Sequence, residues 1–71
     1  MRAPLRHAIV ALRAAGFEVD RIDEAGRHTE VHFNDSNGGG LVRIHRGSRV
    51  SMAFERNLRT FIRKHLRAGT P

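Results

Sequence analysis

The chain has no cysteine, tryptophan or tyrosine among its 71 residues. Without cysteine, neither a disulfide framework nor a thiolate zinc site can stabilise the fold. Stacking on single-stranded bases needs exposed aromatic rings, and the four phenylalanines all fall on predicted core faces. Apolar runs never approach the roughly 18 residues of a membrane span. These absences argue against a disulfide-rich domain, a base-stacking platform and a membrane protein.

Acidic residues are also scarce. Seven of them stand against thirteen basic residues, twelve of which are arginine, and the formal net charge is +6. This excess favours an anionic partner such as nucleic acid, because the guanidinium fork matches phosphate oxygens. An arginine-rich genome is the simpler explanation of the same composition. The first four residues lead into a helical pattern and not into a signal-peptide core, so we expect a cytoplasmic protein.

The length predicts one small domain over residues 1–71, with a core that is marginal without a partner. Apolar residues recur at i, i+3, i+4 and i+7 from Leu5 to Leu12, which is the pattern of a helix with Pro4 in its first turn. Gly16 ends this helix. A left-handed glycine at that point is accompanied by a contact between the residues at the positions of Leu12 and Phe17.

Three strands are expected to follow, joined by short turns. Alternating apolar and polar residues predict strands at residues 17–21, 26–33 and 41–45, and residues 23–26 are typical of the first turn. Asn37-Gly38, the strongest short hairpin signal, lies between the last two strands. A two-residue turn at that position sets apolar residues opposite each other, Phe33 with Val42 and Val31 with Ile44.

Ser51 is suited to cap a last helix, and Glu55 in its first turns stands four residues before Arg59. This helix and the first one each have one apolar stripe, and the sheet has one apolar face. The economical assembly therefore packs both helices on one face of the sheet. We predict an α+β fold in the order α-β-β-β-α, with a three-stranded antiparallel sheet. The apolar stripe of the last helix consists of Phe54, Leu58, Phe61, Ile62 and Leu66.

The sheet face opposite the apolar one is called the outer face below. It carries histidine and charged side chains, and exposure to solvent alone does not explain this combination. On the second strand His28, Glu30 and His32 alternate with the inward residues. The expected register puts Glu30 opposite His45 and His32 opposite Arg43, with His28 diagonal to His45. Opposed side chains on neighbouring strands interact directly. The sequence therefore predicts a mixed cluster of imidazoles, a carboxylate and a guanidinium.

Metal binding by this face is weakly supported. His28 and His32 lie roughly 13 Å apart along a strand and cannot share an ion. His28, Glu30 and His45 are able to meet, but three ligands on an open strand face without an acidic second shell make a weak site. We therefore expect no metal and no other cofactor.

Acid–base cleavage of RNA needs only imidazoles beside arginines. The ribose 2′-hydroxyl attacks its own phosphodiester when a base removes its proton, a cation stabilises the phosphorane and an acid protonates the leaving oxygen. Because histidine exchanges protons near neutral pH, His28 suits the base, and His45 or His32 suits the acid. Arg27 or Arg43 is suited to be the cation that stabilises the phosphorane.

A second basic surface, called the basic ridge below, runs along the last helix on the side away from its apolar stripe. Its four arginines recur at i, i+3, i+7 and i+11. A ridge of this kind is either a solvated helix face or a phosphate-binding surface. Its members are Arg56, Arg59, Arg63 and Arg67.

The element order agrees with three short motifs, namely Ala15-Gly16-Phe17, Gly26-Arg27-His28 and Asn57-Leu58-Arg59-Thr60-Phe61-Ile62-Arg63-Lys64. Together they resemble, over roughly residues 5–67, the HicA-type toxins, which are small mRNA interferases with a double-stranded-RNA-binding-like fold. The resemblance implies RNA cleavage with His28 as the catalytic residue, and an acidic HicB-like antitoxin that covers the outer face. Arg27 stands where the family has a small hydroxyl residue, and Arg56-Asn57-Leu58 stand where it tends to have Gly-Thr-Leu.

Three classes of function follow from these observations. The first is a HicA-like toxin that cleaves mRNA without a metal and is neutralised by its antitoxin. The second is a non-catalytic nucleic-acid-binding module of the same fold, which binds phosphates through the basic ridge. The third is a structural or adaptor protein that binds neither RNA nor DNA. None of the three involves a membrane.

Overall fold

The computed structural model describes residues 2–35, 38–45, 47 and 49–68. Within this part of the chain, no helix combines the length and the apolar content needed to cross a lipid bilayer. The strands form one antiparallel sheet in the order β1-β2-β3, so the predicted α+β class and element order are confirmed. The elements are α1 (Ala3–Ala14), β1 (Glu18–Ala25), β2 (His28–Asp35), β3 (Gly38–His45) and α2 (Met52–Ala68).

Helix α1 begins and ends as its sequence predicts. Pro4 lies in its first turn. Gly16 follows the helix with a φ of 96°, a left-handed conformation that favours glycine. The amide of Phe17 donates to the carbonyl of Leu12 over 3.0 Å, and the amide of Gly16 donates to that of Arg13 over 3.0 Å. This pair of bonds is a Schellman cap, which brings Leu12 and Phe17 into the same core.

The core lies between the two helices and one face of the sheet, which we call the inner face. Val31, Phe33 and Ile44 point inward and are almost fully buried. Leu12 of α1 and Leu58 of α2 pack into the same cluster, so both helices cover the inner face, as expected. The buried hydrophobic cluster consists of Ala8, Leu12, Phe17, Val31, Phe33, Ile44 and Leu58.

Strand β1 is longer than predicted and contains a bulge. It continues to Ala25, so the expected turn at residues 23–26 is wrong, and the connection consists of Gly26 and Arg27. Gly26 has a φ of 63°, which suits a tight hairpin. A register shift between Val19 and Arg21 adds one residue to β1. One extra residue reverses the face to which each later side chain of β1 points. Asp23 therefore lies on the outer face, opposite Glu30.

The register of β2 against β3 also differs from the expected one. Phe33 lies opposite Gly40, and Val31 lies opposite Val42, two residues away from the predicted pairing. Gly38 belongs to β3 and pairs with Asp35, so it is not a turn residue. Asn37, the other half of the predicted turn, lies outside the described residues. A shift of two residues keeps every side chain on its predicted face, because strand side chains alternate with a period of two.

Gly40 provides space for a side chain of α2. A Cβ atom at this position would lie 2.6 Å from Nε2 of His65 and 2.8 Å from Cζ of Phe33. The His65 ring instead packs on Phe33, with 5.2 Å between ring centroids, and on Phe61, with 4.5 Å. The three consecutive glycines at positions 38–40 therefore belong to strand β3, and Gly40 is part of the core packing.

Helix α2 is capped as predicted. The amide of Phe54 donates to Oγ of Ser51 over 3.0 Å, and Nη2 of Arg59 lies 3.3 Å from Oε1 of Glu55. Phe54, Phe61 and Ile62 are partly buried against the core. Packing this stripe on the inner face turns the other side of the helix toward solvent.

Candidate active site

The outer face is arranged in rows across the three strands. Each outward residue of β2 has one partner on β1 and one on β3, and successive rows are two residues apart along the strand. The rows therefore separate the polar residues of this face into groups with different neighbours. Counted from the turn between β1 and β2, the first three rows are Ala25 with His28 and His45, Asp23 with Glu30 and Arg43, and Arg21 with His32 and Leu41.

The first row brings two imidazoles together. His28 and His45 are direct cross-strand partners, where the expected register made them diagonal. Their ring centroids lie 4.6 Å apart, and the ring planes are inclined by 49°. His28 is half-buried and His45 is exposed. This separation allows both imidazole rings to contact neighbouring atoms of one bound molecule.

Two basic residues lie in one cleft with His45 of this pair. Arg27 forms part of the turn that directly precedes His28, and its exposed side chain lines an open cleft together with Arg2 and His45. The backbone at Gly26 and Gly47 completes the wall of the cleft. A cleft with two guanidinium groups and an imidazole suits an anion such as a phosphodiester.

The second row is held by ion pairs. Nε of Arg43 donates to Oε2 of Glu30 over 3.3 Å. The expected pairing of Glu30 with His45 is therefore wrong, because the register places Arg43 directly opposite Glu30. Arg43 is held one row away from the cleft that Arg27 and His45 line.

His32 in the third row is bound to β1 and not to the other histidines. Its Nε2 lies 3.2 Å from Oδ2 of Asp23 and 3.5 Å from Nη2 of Arg21. Nε of Arg21 also lies 2.8 Å from the same Asp23 oxygen. The expected pairing of His32 with Arg43 is wrong, since Leu41 is its partner on β3. His28 and His32 are four positions apart on β2, which corresponds to roughly 13 Å in an extended strand.

Two residues of this face, Asp23 and Arg21, were not predicted from the sequence. Asp23 lies beyond the predicted end of the first strand, and regular alternation would place Arg21 on the same face as Val19. The signal was present in the spacing of the apolar residues. Val19 and Ile22 are three positions apart, which a regular strand cannot place on one face, whereas a bulge can. Reading that interval as a bulge would have placed Asp23 on the outer face beside Glu30.

The basic ridge lies on a different side of the molecule from the outer face. Arg56, Arg59 and Arg63 are exposed and line one shallow groove of α2 with Thr60. Arg59 is paired with Glu55, and the side chain of Arg67 lies outside the described residues. Helix α2 packs on the inner face, whereas His28 and His45 are paired on the outer face.

No protein-family model matched the chain, and comparisons with curated proteins and with solved structures found no match either.

Proposed function

We propose that this protein is a metal-independent endoribonuclease that works as a HicA-like toxin. The observation that carries the proposal is the direct pairing of His28 and His45 beside the cleft that Arg27 lines. Two adjacent imidazoles and a guanidinium supply a base, an acid and a cation, which are the three groups that transesterification of RNA requires.

The reaction assigns one role to each of these side chains. His28 removes the proton from the ribose 2′-hydroxyl, and the freed oxygen attacks the adjacent phosphorus. Arg27 stabilises the negative charge of the phosphorane. The bond from phosphorus to the 5′-oxygen then breaks, and His45 donates a proton to that leaving oxygen. The products are a 2′,3′-cyclic phosphate and a 5′-hydroxyl end.

The pairing favours His45 over His32 as the acid. His45 lies in the same row as His28, whereas His32 lies two rows away and contacts Asp23. Proton donation to a leaving group requires direct hydrogen-bond reach, or reach through one water molecule. A group roughly 13 Å away along the strand does not meet that requirement.

The toxin assignment rests on the resemblance of three short motifs to those of the HicA-type toxins and on charge. A net charge of +6 suits both an RNA substrate and an acidic HicB-like antitoxin, and we place both on the outer face. Such a pair would act in the cytoplasm. Co-expression with an acidic partner that abolishes both toxicity and RNA cleavage would support this assignment.

Cleavage of a synthetic RNA in the presence of a metal chelator tests the catalytic proposal. We expect the His28→Ala variant to cleave at least about 100-fold more slowly than the parent chain. The matched control is His32→Ala, which removes an imidazole from the same face of the same strand and is expected to retain nearly full activity. A substrate with a 2′-deoxyribose at the cleaved position is expected to stay intact. Equal rates for His28→Ala and the parent chain would contradict the proposal.

A non-catalytic nucleic-acid-binding module is the second candidate, because three arginines of the basic ridge are exposed along one groove. This candidate predicts RNA binding that weakens steeply with salt, while the RNA stays intact during long incubation. The Arg63→Ala variant is then expected to reduce the slope of log affinity against log salt concentration by about 1, which corresponds to the loss of one phosphate contact. Binding without any cleavage by the parent chain would favour this candidate over the toxin.

A further inference from the structure

Three side chains with metal-ligating atoms converge in the middle of the outer face. One ligand atom from each of Asp23, Glu30 and His32 lies within 4.8 Å of the other two, and all three residues are half-buried. We propose that this group is a binding site for a divalent transition-metal ion of the Zn²⁺ class. The site is separate from His28 and His45, and the inference does not depend on the proposed ribonuclease activity.

The sheet fixes the relative positions of the three ligands. Asp23 and Glu30 are direct cross-strand partners, and His32 follows Glu30 on the same face of β2. A tetrahedral zinc ion with ligands at about 2.0 Å holds its donor atoms about 3.3 Å apart. Nε2 of His32 and Oδ2 of Asp23 already lie 3.2 Å apart. The third ligand atom, a carboxylate oxygen of Glu30, lies within 4.8 Å of both, so a rotation of the Glu30 side chain would complete the site.

The donor set selects the class of ion. One imidazole nitrogen and two carboxylate oxygens suit borderline ions such as Zn²⁺ and Co²⁺, whereas Ca²⁺ and Mg²⁺ prefer oxygen donors alone. Two carboxylates also balance the charge of a divalent cation. Three protein ligands leave the fourth position of a tetrahedral ion to water.

Each of the two carboxylates forms an ion pair with an arginine. Arg21 binds Asp23 and Arg43 binds Glu30, and the arginine side chains are 66% and 67% exposed, respectively. Exposed ion pairs of this kind contribute little free energy, so a metal ion displaces the guanidinium groups into solvent at a small cost. This competition makes a distinctive prediction. Removing an arginine tightens metal binding, whereas in a purely structural ion-pair network it would only leave a carboxylate unpaired.

Calorimetric titration of the full chain with Zn²⁺ tests the site. We expect binding of one ion per chain, weakened at least about 10-fold in His32→Ala and in Asp23→Asn. Arg21→Ala is expected to tighten binding about two- to fivefold, because it frees both Asp23 and His32. Arg63→Ala is the matched control, since it removes the same charge from α2 and is expected to leave the affinity unchanged.

Two further measurements keep the outcome unambiguous. The visible absorption spectrum of bound Co²⁺ reports coordination by protein ligands and should vanish in His32→Ala. Circular dichroism shows whether each variant keeps the fold. If Zn²⁺ binding is lost in His28→Ala but kept in His32→Ala, the ion binds the histidine pair and the proposal is overturned. The absence of saturable binding by the parent chain overturns it as well. Neither result affects RNA cleavage measured with a chelator.

Discussion

The two faces of strand β2 differ in what they contribute. The inward residues Val31 and Phe33 are at most 2% exposed, whereas the outward Glu30 and His32 are half-buried and contact charged neighbours. Burial of apolar surface contributes about 25 cal/mol per Å², while an exposed ion pair contributes about 0–1 kcal/mol. The fold therefore depends on the inner face, and the outer face is able to vary its chemistry without unfolding the chain.

The largest expected effect tests the inner face. The Phe33 ring packs against Phe17, Phe61 and His65, at centroid separations of 5.0, 5.8 and 5.2 Å. We expect Phe33→Ala to lower the free energy of unfolding by about 3–5 kcal/mol. That loss is a large part of the whole stability of a domain of this size. Urea denaturation followed by circular dichroism measures it.

Phe33→Leu keeps the position apolar and leaves a smaller cavity, so its loss is expected to be smaller and measurable even if Phe33→Ala does not fold. If both variants unfold at the same urea concentration as the parent chain, the assignment of the core to the inner face is wrong.

Much of this inner face could be predicted from the sequence, because its signals are local. The spacing of apolar residues from Leu5 to Leu12 specifies the buried face of α1. The end of α1 is specified by Gly16 and the start of α2 by Ser51, in both cases through contacts with nearby residues. Alternation also places Val31 and Phe33 in the core whatever the pairing of the strands. The α-β-β-β-α order follows from these local signals.

A second prediction concerns the glycine that faces Phe33. Because a Cβ atom at position 40 would lie 2.6 Å from Nε2 of His65, we expect Gly40→Ala to lower the free energy of unfolding by about 1–3 kcal/mol. The double variant Gly40→Ala with His65→Ala removes one of the two rings that the new methyl group meets, and the Phe33 ring remains. In that background the cost of Gly40→Ala should fall, as a double-mutant cycle would measure. An undiminished cost would place the strain elsewhere.

The arrangement of the outer face could not be predicted, because it depends on register. A shift of two residues between β2 and β3 leaves every side chain on the same face, so the apolar pattern fits both registers equally. The neighbours on the outer face nevertheless change completely. Glu30 faces Arg43 and not His45, and His28 gains His45 as its direct partner. The bulge in β1 acts differently, because its one extra residue changes the face of the later side chains and so brings Asp23 to the outer face.

The smallest expected effect completes the comparison of the two faces. Glu30→Gln removes the carboxylate that Arg43 binds, and Arg43 is 67% exposed. We expect it to change the free energy of unfolding by less than about 1 kcal/mol in the urea measurement used for Phe33→Ala, because an exposed ion pair is well screened by solvent. A loss as large as that of Phe33→Ala would mean that the outer face also maintains the fold.

A small change has a consequence for the catalytic test as well. If substitutions on the outer face leave stability nearly unchanged, a large loss of RNA cleavage in His28→Ala reports the missing imidazole and not an unfolded chain.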